Sequence, residues 1–106
     1  LNVPLAAGTD GETWLARLDA LVLPRVRDHR PDLLVVSAGY DAHRADPLAE
    51  LRLDSATYAH AATRIAGLCA DLGIGSLWVL EGGYHLPALA ESVTATLHAL
   101  AGRGLG

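Results

Sequence analysis

The sequence contains no lysine, no methionine and no phenylalanine, and one cysteine in 106 residues. A lone cysteine excludes a disulfide framework and a cysteine-rich zinc site within the chain. All eight basic residues are arginines, scattered without a cluster, and the formal charge is −4. No nucleic-acid footprint is visible in that distribution, so nucleic acid is not expected as a direct partner. No apolar run approaches the ~20 residues that span a bilayer, so no membrane partner is expected. No basic segment leads into an apolar one at the start, which predicts a cytoplasmic protein rather than a secreted one. Leu1 in place of Met reads as a loss of residues upstream. A G-x-S-x-G nucleophile elbow is absent, and Gly73-Ile74-Gly75 is too short and misplaced for a dinucleotide loop. What is there is 51% apolar and 19% charged, a globular composition at the length of one small domain.

Thr9-Asp10-Gly11-Glu12 has capping-box spacing, with Thr9 as the cap. Trp14, Leu15, Leu18, Leu21, Val22 and Val26 recur at helical intervals behind it, predicting a helix over 11–28. Pro24 should bend it, and Pro31 should stop it by pushing Arg30 out of helical geometry. Leu33 to Ala38 is a continuous apolar run, the pattern of a strand covered on both faces in a parallel sheet. A second helix is capped by Asp54 or Ser55, buries Tyr58, Ala62, Ile65, Ala66, Cys69 and Leu72, and ends at Gly73. Ser76 to Leu80 reads as a second strand, and Glu81-Gly82-Gly83-Tyr84 as a tight turn. Leu86-Pro87 opens a third helix with Leu89, Val93, Leu97 and Leu100 on its buried face. Gly102 ends that helix and residues 103–106 are expected to fray. Residues 2–5 read as the end of another strand. Two or three parallel strands make an undersized sheet, which points to a piece of a larger α/β sheet.

In open α/β sheets ligands bind beyond the carboxyl ends of the strands. The connection after the first strand runs for about 15 residues, far beyond an ordinary βα loop, which marks it as functional. Asp41, just past the strand end, is a carboxylate suited to a zinc ion, and the bland alternative is a turn cap. His43 stands in Asp-x-His spacing and offers a second ligand if the loop is extended. Tyr84, on a glycine-rich turn at the other strand end, can donate to a developing oxyanion or simply pack against the sheet rim. His29 and His98 suit helix C-termini, and Cys69 suits the core.

Ser-Ala-Gly-Tyr-Asp-Ala-His-Arg-Ala-Asp-Pro-Leu-Ala (37–49) and Leu-Glu-Gly-Gly-Tyr-His-Leu (80–86) resemble the last two signature blocks of the histone deacetylase family, in the form found in class II enzymes and bacterial deacetylase-like amidohydrolases. Residues 2–9 resemble the segment before those blocks, and order and spacing agree over roughly residues 1–102. The resemblance implies a three-layer αβα fold built on an arginase-like parallel sheet, with residues 1–106 as the C-terminal fragment of one domain. It implies a zinc-dependent amidohydrolase acting on an acetylated amine, acetyl-lysine or acetylpolyamine. Asp41 matches a zinc aspartate and Tyr84 the catalytic tyrosine; Leu48, Gly82 and Gly83 match residues lining the acyl tunnel. His43 matches no ligand. The remaining zinc ligands and the histidine pair that moves protons belong to family segments upstream of this region. The isolated chain is therefore expected to be inactive and, with its sheet incomplete, to self-associate. The alternative is a non-catalytic α/β packing or protein-interaction module that keeps the blocks for contact alone.

Overall fold

Asp10, one residue later than the capping-box spacing suggests, starts the first helix. Its carboxylate accepts from the Thr13 amide at 2.9 Å, while the Thr9 hydroxyl turns back to the Ala6 carbonyl at 2.6 Å. Both residues are good caps; the backbone here puts Asp10 in the extended geometry that a cap requires. The computed structural model describes residues 1–102 of the chain, so the expected fraying of 103–106 lies outside the described residues. The expected 11–28 helix is interrupted. Helix α1 (Gly11–Arg17) passes into one π-helical stretch over Leu18–Val22, and helix α2 (Leu23–His29) follows. Pro24 has no N–H to give to the preceding turn, and the Leu23 amide reaches the Leu18 carbonyl across the wider turn. Arg30, ahead of Pro31, ends the segment in left-handed geometry at φ 50°.

Strand β1 (Leu33–Ala38) pairs in parallel with β2 (Gly75–Leu80), in a register that sets Val36 beside Trp78 and Ala38 beside Leu80. Helix α3 (Ser55–Leu72) connects them. Asp54 caps it by accepting from the Thr57 amide and hydroxyl, both at 2.8 Å, and Gly73 closes it at φ 67°. Helix α4 (Leu86–Leu100) follows β2. Residues 2–5 form no strand, so the described sheet has two strands, in the parallel α/β arrangement that the sequence predicts. Neither does any described helix have the length and apolarity to cross a membrane.

Helices α3 and α4 pack closely because their facing residues are small. Ala59, Ala62 and Ala99 form a buried cluster, with Trp78, Ala95 and Leu100 against it. The buried face of α4 is Ala88, Ser92, Thr96 and Ala99, not the expected stripe of leucines. Leu97 is 59% exposed. A leucine on the α3 side would force the helix axes apart, so the larger residues turn to the flank where α4 meets Leu80 and Trp78. The sheet is covered on one face only. On the other, Leu33, Val35, Leu77 and Val79 are 53%, 55%, 53% and 41% exposed. Sheet and one helical layer are thus present, and the opposite sheet face is apolar and open.

Candidate active site

Two segments leave the carboxyl ends of β1 and β2 side by side. The long one, residues 39–54, is ordered although it contains no regular element. The Arg44 amide donates to the Leu53 carbonyl at 2.7 Å and the Leu53 amide to the Ala42 carbonyl at 3.1 Å. The Gly8 and Arg52 amides tie its far side to the start of the chain, through Glu50 and Thr9 carbonyls at 2.6 and 2.9 Å. Leu53, near its end, is fully buried.

The short segment, 81–84, is fastened to the long one. The Glu81 amide donates to the Ala38 carbonyl at 3.0 Å, extending the parallel ladder by one bond. The Tyr40 amide then donates to the Gly82 carbonyl at 2.7 Å. Asp41 consequently lies directly under Gly82: a methyl group there would stand 3.0 Å from Asp41 Oδ2 and 3.1 Å from its Cγ. Gly83 sits at φ 146°, and a methyl group on it would meet Leu89 Cδ1 at 2.7 Å. Close approach crowds both positions, Gly82 through a carboxylate and Gly83 through the first turn of α4, and of the two Gly83 alone also holds a positive φ.

The structure brings Asp41, Gly82 and Gly83 together and sets Tyr84 and Leu48 at the rim. Tyr84 is 56% and Leu48 65% exposed. His43 is elsewhere in role. Its Nδ1 accepts from the Ala45 amide at 3.1 Å, which leaves Nε2 to donate to the Ser55 hydroxyl at 3.3 Å. Ser55 in turn meets the fully buried Ser92 hydroxyl at 3.1 Å. With both ring nitrogens engaged, His43 joins the loop to α3 and α4 and is not available as a second ligand beside Asp41. Among the described residues no group of three His, Cys, Asp or Glu side chains is placed to hold a metal ion. Asp41 is one oxygen donor of the kind that zinc accepts, and it fits as a partial ligand set.

Three site neighbours are not evident from residue types alone. Tyr40 is buried, donates to Thr96 Oγ1 at 3.1 Å and lies 4.8 Å from the Tyr58 ring at a 47° tilt. The Tyr58 hydroxyl is buried without a hydrogen-bond partner among the described residues. Burial first, and the nearby Asp41 charge second, push that phenol well above its ordinary value. The third is Asp46, whose buried carboxylate takes the Leu48 amide on Oδ1 at 2.9 Å and the Tyr84 amide on Oδ2 at 2.7 Å. Burial alone would raise its pKa; amides of Leu48, Tyr84, His85 and Ala49 outweigh burial and hold it below the usual carboxylate value. Asp46-Pro47 was readable as an Asx-type turn onto Leu48, but its reach to Tyr84 spans 38 positions and has no local signal.

The family model for the histone deacetylase domain matches residues 1–100. The chain is 44% identical over 100 residues to an uncharacterised protein of Synechocystis, covering 94% of this chain and 32% of that protein. It is 40% identical to histone deacetylase 10, chloroplastic, of rice, covering 96% and 23%. With acetylpolyamine amidohydrolase 1 of Pseudomonas aeruginosa it shares 37% identity, covering 95% and 28%. The crystal structure of the HDA15 HD domain superposes on all of this chain with a TM-score of 0.88 and 32% identity, over 29% of its own length. The chain thus spans a quarter to a third of the length of the curated relatives it matches.

Proposed function

The chain belongs to the histone deacetylase family, and we propose that it supplies the C-terminal part of a zinc-dependent deacetylase that hydrolyses N-acetyl amides, with acetyl-lysine or acetylpolyamine as substrate. The observation that carries this reading is the fastening of the two strand-end segments, which holds Asp41 beneath Gly82 and the Tyr84 backbone on Asp46. Asp41 is one zinc ligand, and the other ligands and the proton-accepting histidines come from segments of a complete domain that this chain does not contain. Zinc bound there would polarise the acetyl carbonyl and activate water. The Tyr84 phenol donates a hydrogen bond to the carbonyl oxygen and holds it more strongly as negative charge develops there. Leu48, Gly82 and Gly83 line the passage for the acylated chain; the glycines also let the two segments lie close, since a methyl group at either would meet the Asp41 or Leu89 side chain. The chain alone is inactive, because the ligand set and the base are incomplete.

The test is made in a complete domain, in which residues 1–100 replace the matching segment of acetylpolyamine amidohydrolase 1 of Pseudomonas aeruginosa. Asp41→Ala removes the carboxylate, and zinc measured after gel filtration should fall well below one per chain. Tyr84→Phe should lower kcat by about 10²–10³ while zinc content stays unchanged. Stoichiometric zinc in the first variant refutes the ligand assignment, and unchanged turnover in the second refutes the oxyanion role. A non-catalytic module would bind no zinc in either background.

A further inference from the structure

Beyond Gly82 the turn that carries Tyr84 has left the strand ladder. Gly82 is still held by the Tyr40 amide, and Gly83 follows at φ 146°, a backbone geometry that favours glycine. Tyr84 is more than half exposed. The next fixed point is the bond from the Tyr84 amide to Asp46 Oδ2 at 2.7 Å. Asp46 is itself held. Its amide donates to the His43 carbonyl at 2.9 Å, its other oxygen accepts the Leu48 amide at 2.9 Å, and Pro47 behind it restricts the backbone. One carboxylate therefore ties the tyrosine turn to the loop that carries Asp41 and to the backbone of Leu48.

We infer that Asp46 is a positioning residue: its carboxylate, bridging the Tyr84 and Leu48 amides, sets where the Tyr84 phenol stands relative to the scissile carbonyl. The inference rests on the reading of Tyr84 as oxyanion donor. Misplacing a donor by about 1 Å can cost on the order of 10²-fold in rate, and a charge-assisted bond to backbone is a stiff way to prevent it. Asn at this position keeps the shape but has one carbonyl oxygen for two amides, and its NH₂ group opposes the second.

The experiment is a double-mutant cycle in the complete domain described above. Asp46→Asn should lower kcat about 10- to 100-fold with zinc content unchanged. In the Tyr84→Phe background the same change should cost less than about twofold, because the donor that it positions is already gone. A merely structural role would slow both backgrounds alike, and equal losses overturn the inference. Amide NMR of the unsubstituted protein reads the bond independently of any variant. The Tyr84 N–H should resonate downfield and exchange slowly, and an exposed, fast-exchanging Tyr84 amide overturns the inference even if Asp46→Asn fails to fold. Failure of the underlying reading is distinct: Tyr84→Phe alone would then leave turnover intact, which removes the catalytic role of Tyr84 and with it the positioning role of Asp46.

Discussion

Gly82→Ala should separate the fold from the proposed zinc site. The backbone at Gly82 lies outside the left-handed region, so alanine meets no conformational barrier there, and the atoms nearest the new methyl group belong to the Asp41 side chain. The new methyl group would stand 3.0 Å from Oδ2, and ordinary contact begins near 3.4 Å, so the carboxylate must withdraw by a few tenths of an ångström. In the free protein Asp41 can swing toward solvent, and the unfolding free energy should change by less than about 1 kcal/mol. Zinc is less forgiving. Its oxygen ligands lie at about 2.0–2.2 Å with a tolerance near 0.2 Å, less than the required withdrawal. Zinc affinity in the complete domain should fall about 10- to 100-fold, the range seen when a ligand's support is disturbed. Gly83→Ala behaves in the opposite way. Its methyl group would press on Leu89 at 2.7 Å and Tyr40 at 3.3 Å from a φ of 146°, which should destabilise the fold by about 1–3 kcal/mol. The assay is chelator competition for zinc alongside urea unfolding. Unaltered zinc affinity in Gly82→Ala, with zinc lost in Asp41→Ala, would refute the argument that this contact constrains the ligand.

The isolated chain should self-associate through its open sheet face, since covering half-exposed side chains such as Leu33, Val35, Leu77 and Val79 is worth about 1 kcal/mol each. Sedimentation at micromolar concentration checks this, Leu77→Glu should shift the chain toward monomer, and a stable monomer with both strands protected from exchange contradicts it. Stability should fall in acid. The Asp54 carboxylate, held by the Thr57 hydroxyl and then its amide, and Asp46, where amides outweigh burial, both lie below the ordinary value of 3.8 in the folded chain. Their contribution is complete above that value and is lost as pH falls through the depressed folded values; a urea midpoint that stays flat between about pH 6 and pH 2 contradicts the assignment. Ser92→Ala should cost about 1–3 kcal/mol in urea unfolding, because the buried Ser55 hydroxyl loses a partner. A change below about 0.5 kcal/mol would show that the His43–Ser55–Ser92 chain is not required.

Strands β1 and β2 and the caps of α3 were legible because each is specified locally. Residues 2–5, by contrast, form no strand, and 81–84, read as a tight turn, run on without one because their amides pair with Ala38 and Asp46 instead. Leu33–Ala38 matches the observed strand end to end, and Asp54 and Gly73 bracket α3 as their chemistry requires. The first cap was misplaced by one residue because Thr9 and Asp10 are both competent and only the backbone decides between them. The leucine stripe of α4 failed for a different reason. Periodicity reports that a helix has an apolar side, but not which neighbour it meets; here α3 approaches so closely that alanine, serine and threonine take the buried positions.

At the site the division is the same. Residue types and local order determined which groups are chemically able to act: a carboxylate just past one strand, a phenol on a glycine turn past the next, and too few ligands in the chain to hold a metal alone. Only the tertiary structure decided how they are held. The Asp46–Tyr84 bond joins residues 38 positions apart, the engagement of His43 with Ser55 takes it out of any ligand set, and the approach of Gly82 to Asp41 depends on two strands lying side by side. Hydrogen bonds and close contacts of this kind act over a few ångströms in space, and sequence order carries no measure of that distance once the chain has crossed from one strand to the next.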